Sequence, residues 1–220
     1  MQPIASWQVR KLKGFIVILF GLLALVTINL IFKDLSKQWP SYEEFYTMCK
    51  TIVTYIINHT HALAIFRSHS GLELLKVAKT RFASYYVMMK RLFDVRQALK
   101  STVVLDEWKE WAKHGDEKMQ EIVENIKRWV TDDEDTFWTN VRQMVKITKP
   151  IFKMIKFCDQ DGPLMGEVYE GMDNMLGEIK DSLNGCANFK EIYEMMENIV
   201  IKRWKMMHSP LHCLGFALTP

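Results

Sequence analysis

Two clusters of acidic, histidine and cysteine side chains are the places where this sequence could do chemistry. In the first, Asp159 and Asp161 flank a turn, and Glu170 follows Asp159 at the span of a calcium-binding loop. Such a loop needs glycine at its sixth position, which Leu164 occupies in this chain. We therefore expect solvated acids at a turn and no calcium site.

The second cluster lies near the C-terminus, where His208, His212 and Cys213 are close in sequence. The two histidines could share one side of a helix and suit zinc, but Pro210 stands between them and the ligand set is incomplete. The chain also has no Ser-His-Asp set, phosphate-binding loop or dinucleotide fingerprint. These patterns therefore predict no metal site, no cofactor and no catalytic residues among them.

Composition favours a packed helical protein and leaves its partner open. A chain of 220 residues suits one domain or two small ones, and 49% hydrophobic residues with only 10 Gly and 6 Pro exclude a disordered tail. The net charge of +3 is too small to argue for nucleic-acid binding by itself. The 4 cysteines are widely spaced without a Cys-x-x-Cys pair, which favours reduced and mostly buried thiols.

An apolar run occupies the N-terminal segment, which we delimit as residues 1–37. From Gly14 to Phe32 there are 19 residues without a charge. As a helix they would span about 28 Å, close to the hydrocarbon thickness of a bilayer. Hydropathy alone favours a single-pass membrane anchor, and the competing interpretation is a buried helix or strand of a soluble domain.

Residues 38–220 are predicted to form a helical domain, because apolar residues recur with the helical period and no alternating strand pattern occurs. Ser41 and Glu44 have the pattern of a capping box at the start of a helix that ends before Ser68. Residues 80–104 then read as one long helix with an apolar side.

The second half of this domain shows similar start and stop signals. Thr131 and Glu134 form another capping-box pattern, before a helix that continues to about Phe157. Pro150 should kink or divide that helix. Asn184 and Gly185 form a good helix stop.

Basic side chains concentrate around the second helical region; they are Lys76, Lys79, Arg81, Lys90, Arg91 and Arg96. Such a surface would contact DNA phosphates in a salt-dependent and nonspecific way. The alternative is a plain solvated face, because acidic segments nearby balance the charge.

Several short motifs, taken in order, resemble the helical region of plant transposases of the hAT superfamily, and the resemblance covers residues 27–220. They are Thr80–Ser84 (Thr-Arg-Phe-Ala-Ser), Glu107-Trp108, Lys149–Asp161, Met165–Met172, Arg203-Trp204 and Pro210–His212. Leu105 departs from the pattern, since the family usually has serine there. Each motif is weakly specific, whereas their shared order and spacing are strongly specific.

The resemblance implies a fold and a function. Transposases of this superfamily cut DNA with three separated carboxylates on a ribonuclease H-like sheet, and this chain resembles the helical insertion between the second and third of them. The expected fold is therefore mainly α, a helical bundle preceded by the apolar segment of residues 1–37, which is either a membrane anchor or a remnant of the ribonuclease H-like core. The expected protein is a truncated, catalytically inactive transposon derivative in the nucleus or cytoplasm, with DNA or related chains as partners. The alternative is a single-pass membrane protein with a soluble helical domain.

The same resemblance points to residues that could contact DNA. In the family, the aromatic residue after the matching arginine stacks on a base, which in this chain is Phe82 after Arg81. Lys90 and Arg91 are the further DNA-contact candidates, on the basic side of the helix that follows. The competing interpretation is that Phe82 packs in the helical core.

Overall fold

A computed structural model describes residues 23–78, 83–132, 134–160, 165–186 and 188–207, and helices are the regular elements in these ranges, with no strand. The mainly α fold class is therefore confirmed. The helices are α1 (residues 23–38), α2 (Pro40–Asn58), α3 (Thr60–His69), α4 (Ala83–Asp94), α5 (Arg96–Val104), α6 (Asp106–Lys113), α7 (Glu117–Val130), α8 (Thr136–Cys158), α9 (Met165–Ser182) and α10 (Phe189–Met207).

The chain divides into two compact units. A central unit comprises Trp39–Lys146, and a terminal unit combines Met1–Gln38 with Ile147–Pro220. One junction lies between Gln38 and Trp39. The other falls inside α8, where no change in composition marks it.

The central unit is built on α2, whose buried residues follow the helical period. Tyr42, Tyr46, Cys49, Val53 and Ile56 return to the same side of the helix and are 4% exposed or less. The helix α3 packs against α2, α5 and α6, and α7 packs against α2, α5 and α6. Burial of these apolar stripes stabilises the unit.

Two of the predicted helices are divided. The helix expected up to Ser68 is interrupted at His59, whose backbone is extended (φ −111°, ψ 107°). The helix expected over residues 80–104 is interrupted at Val95, so that α4 and α5 replace it; residues 80–82 lie outside the described ranges. Neither break contains glycine or proline, which is why the apolar pattern predicted unbroken helices.

The predicted capping box at Ser41 is wrong. The helix α2 begins at Pro40, Trp39 precedes it without a side-chain cap, and Ser41 lies inside the first turn. Proline suits the first helical position because its fixed φ matches the helix and its missing N–H has no partner there anyway.

The capping box predicted at Thr131 is also wrong, and Asp132 takes its place. The Asp132 carboxylate accepts hydrogen bonds from the backbone N–H groups of Thr136 at 2.8 Å and Phe137 at 3.4 Å. These are orphan donors of the first turn of α8. Pro150 lies inside α8 without dividing it, since the helix continues to Cys158.

Trp138 joins α7 to the start of α8 in the central unit. Its indole Nε1 donates to the carbonyl oxygen of Val130 at 2.9 Å, and its side chain is fully buried. The ring of Phe137 packs edge-on against the Trp138 ring, with the ring centres 4.9 Å apart. A buried carbonyl at the end of α7 is thereby satisfied by a side chain that also fills the core.

In the terminal unit an ion pair joins α1 to α10. The Arg203 guanidinium donates through Nε and Nη2 to the two carboxylate oxygens of Asp34, at 2.6 and 2.8 Å. The side chains are only 18% and 14% exposed. Hydrogen bonding to Asp34 raises the pKa of Arg203 above its usual value, although partial burial opposes this.

The apolar run from Gly14 to Phe32 is only partly described. Residues 14–22 lie outside the described ranges, and residues 23–32 form the first part of α1, where Ile28, Ile31 and Phe32 are fully buried. Within the described ranges, no helix has the length and apolar character that crossing a membrane requires.

We predict that Asp34→Asn lowers the free energy of unfolding of the terminal unit by about 2–3 kcal/mol, because it leaves a mostly buried guanidinium without its counter-charge. Urea unfolding followed by circular dichroism measures the change. The matched control is Glu178→Gln, which removes the exposed pair with Lys153 in the same unit and should cost less than about 1 kcal/mol. Equal losses in the two variants would contradict the role given to this pair.

We also predict that Trp138→Phe destabilises the central unit by about 2–4 kcal/mol, since it leaves a buried carbonyl unpaired and creates a cavity. Trp129→Phe, which truncates a half-buried ring on α7, is the control and should cost about 1 kcal/mol or less. Thermal unfolding monitored by circular dichroism compares them. A control that loses as much stability would show that Trp138 has no special role.

Candidate nucleic-acid interface

The predicted basic surface is only partly within the described ranges. Lys79, Arg81 and Phe82 lie outside them, so the predicted base-stacking position is not described. Lys76 is described, and its Nζ donates to the Asn58 side-chain oxygen at 2.7 Å. This lysine therefore ties the segment after α3 to the end of α2.

Lys90 and Arg91 are neighbours on α4, and both have local partners. Lys90 Nζ lies 2.6 Å from both carboxylate oxygens of Asp94, and Arg91 Nη1 donates to the carbonyl oxygen of Glu73 at 2.7 Å. The Lys90–Asp94 pair is exposed, so it contributes little and a phosphate can compete for the lysine. Arg91 uses one of its five donors in this bond.

A cation–aromatic cluster lies close to them in sequence, at the junction of α4 and α5. The guanidinium carbon of Arg96 lies 4.4 Å from the ring centre of Phe93, and that of Arg142 lies 5.3 Å from the same centre. Arg96 Nη1 also donates to the carbonyl oxygen of Phe93 at 3.1 Å. We call these three residues the Phe93 cluster.

Three helices position the Phe93 cluster. Phe93 is near the end of α4 and Arg96 begins α5, so the break at Val95 brings them together. The third member, Arg142, comes from α8, where Trp138 lies one turn earlier and its ring contacts Phe93 edge-on at 6.5 Å. The hydrogen bond between Trp138 and Val130 therefore also helps to fix the position of Arg142.

The charges of the Phe93 cluster are not neutralised within the described ranges, where neither Arg96 nor Arg142 forms an ion pair with a carboxylate. Lys146 lies one turn after Arg142 on α8, and both are exposed. Lys100, one turn after Arg96, pairs with Asp135 at 2.7 Å. The local balance is thus positive.

This arrangement suits phosphate groups better than bases. A guanidinium held over a ring has lost side-chain freedom beforehand and still has N–H donors in a planar fork. The Phe93 ring already carries two cations, so it is a poor platform for a base. Sequence reasoning included Arg96 but missed Arg142, because no local motif connects it to a residue on a different helix.

In the described part of the chain, no group of three His, Cys, Asp or Glu side chains is placed to hold a metal ion. Asp159 and Glu170 fall within it, whereas Asp161, His208, His212 and Cys213 do not.

Three cysteines are described, and none of them is in a disulfide. Burial raises the pKa of the Cys158 thiol to about 12 and raises that of Cys49 well above its usual value. Cys186 is half-buried. Cys49 and Cys158 are thus core side chains, unsuited to nucleophilic chemistry near neutral pH.

Comparison with known proteins adds no relative. No protein-family model matches the chain, no curated protein is similar to it, and no solved structure matches its fold. The resemblance to hAT transposases therefore depends on the short motifs alone.

We predict that iodoacetamide at pH 7.5 modifies Cys186 at least about tenfold faster than Cys49 or Cys158, whose thiols stay protonated and shielded. Peptide mass spectrometry over time measures each site, and the same reaction in urea is the control, where the three rates should converge. Rapid modification of Cys49 in the folded protein would contradict the packing of α2.

Proposed function

We propose that this chain is a catalytically inactive, transposon-derived protein that binds the phosphate backbone of DNA through its central unit. The order of the short motifs supports the transposon origin. The observation that carries the DNA part is the Phe93 cluster, in which Arg96 and Arg142 hold their guanidinium groups on one aromatic ring and neither pairs with a carboxylate of the described residues. On the same resemblance, the expected location is the nucleus or the cytoplasm.

The binding is electrostatic. Each guanidinium that meets a phosphate releases a counterion, so affinity falls as salt rises. Lys146 adds a third positive charge beside Arg142, and Lys90 adds another where phosphate displaces Asp94. Because cations cover Phe93, the surface contacts the phosphates and makes no base-specific contacts. The proposed binding is therefore insensitive to DNA sequence.

Base stacking enters the proposal only through the family resemblance, at Phe82 beside Arg81. The Phe93 cluster and this position act on different parts of DNA, so their contributions are separable. A phosphate contact acts on duplex and single strand alike, whereas stacking requires an unpaired base.

The test is binding of a fluorescent 20-base-pair duplex at several KCl concentrations, followed by anisotropy. We predict that Arg96→Gln with Arg142→Gln lowers the slope of log affinity against log salt by about two, one for each lost phosphate contact. The weakening should be the same for duplexes of unrelated sequence.

The control removes the same charge elsewhere in the central unit, by Lys118→Gln with Arg128→Gln on α7, where both side chains are exposed. Its salt slope should stay near that of the original protein. The proposal is wrong if the chain fails to bind DNA at low salt, or if both double variants lose affinity equally.

A further inference from the structure

The turn that follows α9 presents an asparagine–glycine pair to solvent. The pair is Asn184 and Gly185, and both residues are exposed. A hydrogen bond from the Cys186 N–H group to the Leu183 carbonyl oxygen, at 3.0 Å, closes the turn around them. Leu183 itself is fully buried, so the pair lies at the tip of a turn whose start is anchored in the terminal unit.

The backbone of this turn leaves the Gly185 N–H group free. Gly185 has a φ of +86°, whereas the φ of Asn184 is not positive, and this combination fits a type II turn. In such a turn the central peptide group takes no part in the closing hydrogen bond. Within the described ranges, the Gly185 N–H group accordingly has no acceptor, and the Asn184 side chain forms no hydrogen bond.

A second asparagine in the same connection has a different environment. Asn188 is also exposed, but it precedes Phe189, whose N–H group donates to the Cys186 carbonyl oxygen at 3.3 Å. The carbonyl oxygen of Asn188 accepts a hydrogen bond from the Ile192 N–H group at 3.1 Å. The nitrogen that follows Asn188 is therefore already bonded and belongs to a bulky residue, which makes Asn188 a natural comparison for Asn184.

We infer that Asn184 is a deamidation site that the folded chain leaves open to reaction, with water as the co-reactant. Asparagine is a thermolabile residue, and it reacts when the next backbone nitrogen reaches its side-chain carbon. Gly185 offers such a nitrogen, because its N–H group is free and its missing Cβ lies toward open space. The central peptide can also rotate without opening the turn, since turns of types I and II share the closing hydrogen bond.

The reaction has two steps, and its atoms balance. The Gly185 nitrogen gives its proton to a base and attacks Cγ of Asn184; a C–N bond forms, the bond to the side-chain nitrogen breaks, and that nitrogen takes up a proton and leaves as ammonia. Water then opens the five-membered imide. Addition of water at Cγ yields aspartate, whereas addition at the backbone carbonyl yields isoaspartate, in which the main chain continues through the side chain.

The products change the connection between α9 and α10. Either product adds a negative charge close to Cys186 in sequence, and isoaspartate also lengthens the main chain of the turn. The hydrogen bond from Cys186 to Leu183 depends on the present length, so isoaspartate removes the closure of the turn. This modification is independent of the proposed DNA contact, because the Phe93 cluster lies in the central unit.

The test stores the full chain at mildly alkaline pH, in buffer and in guanidinium chloride, and follows its tryptic peptides by mass spectrometry. One peptide, Asp181–Lys190, contains both Asn184 and Asn188 and compares them directly. In buffer, we expect Asn184 to convert at least about tenfold faster than Asn188, into a mixture of aspartate and isoaspartate. Unfolding should accelerate the conversion of Asn184 less than about fivefold, because the fold already exposes it.

Asn184→Gln should abolish the modification at this position, since its longer side chain would have to close a larger ring. The matched control is Asn188→Gln, which also changes an exposed asparagine and should leave the rate at Asn184 unchanged. The inference is overturned if Asn184 converts no faster than Asn188, or if unfolding accelerates its conversion more than about fivefold, which would show that the fold protects it. The DNA measurements are unaffected by either result.

Discussion

The bond between Asp34 and Arg203 connects two parts of the chain that are 169 residues apart. Both charges are largely removed from water, and such charges are tolerated only when each is paired and hydrogen-bonded. The two parallel N–H···O bonds meet this requirement and align α1 with α10. Because α1 buries Ile28 and Ile31, the pair also holds an apolar helix within the terminal unit.

In the central unit, the hydrogen bond from the Trp138 indole to the Val130 carbonyl has a comparable role, although neither group is charged. The Trp138 indole satisfies Val130 and contacts Phe93, so the last carbonyl of α7 and the aromatic centre of the cation cluster share one support. The consequence is that Arg96 and Arg142 both lie over the Phe93 ring in spite of their like charge. The Phe93 ring lies against both, and its negative face offsets part of the repulsion.

The helical class and most apolar faces could be predicted from the sequence, because the 3.6-residue period is a local property. The breaks at His59 and Val95 could not, since they involve ordinary residues whose backbone is set by packing against other helices. The start of α8 was misassigned for a different reason: Thr131 and Asp132 are both good N-cap residues, and the sequence alone does not show which of them caps the helix. In the candidate site, Arg96 was recognisable from local charge, whereas Arg142 becomes its neighbour only through the tertiary fold.

The discontinuity of the terminal unit affects the order in which the protein can assemble during synthesis. The central unit is continuous in the chain and can fold as soon as it leaves the ribosome. Asp34, by contrast, is made long before Arg203. At about 5–20 residues per second, α1 waits roughly 10–30 s for its partner. During that interval Ile28 and Ile31, which are fully buried in the folded protein, lack the part of the terminal unit that follows residue 146.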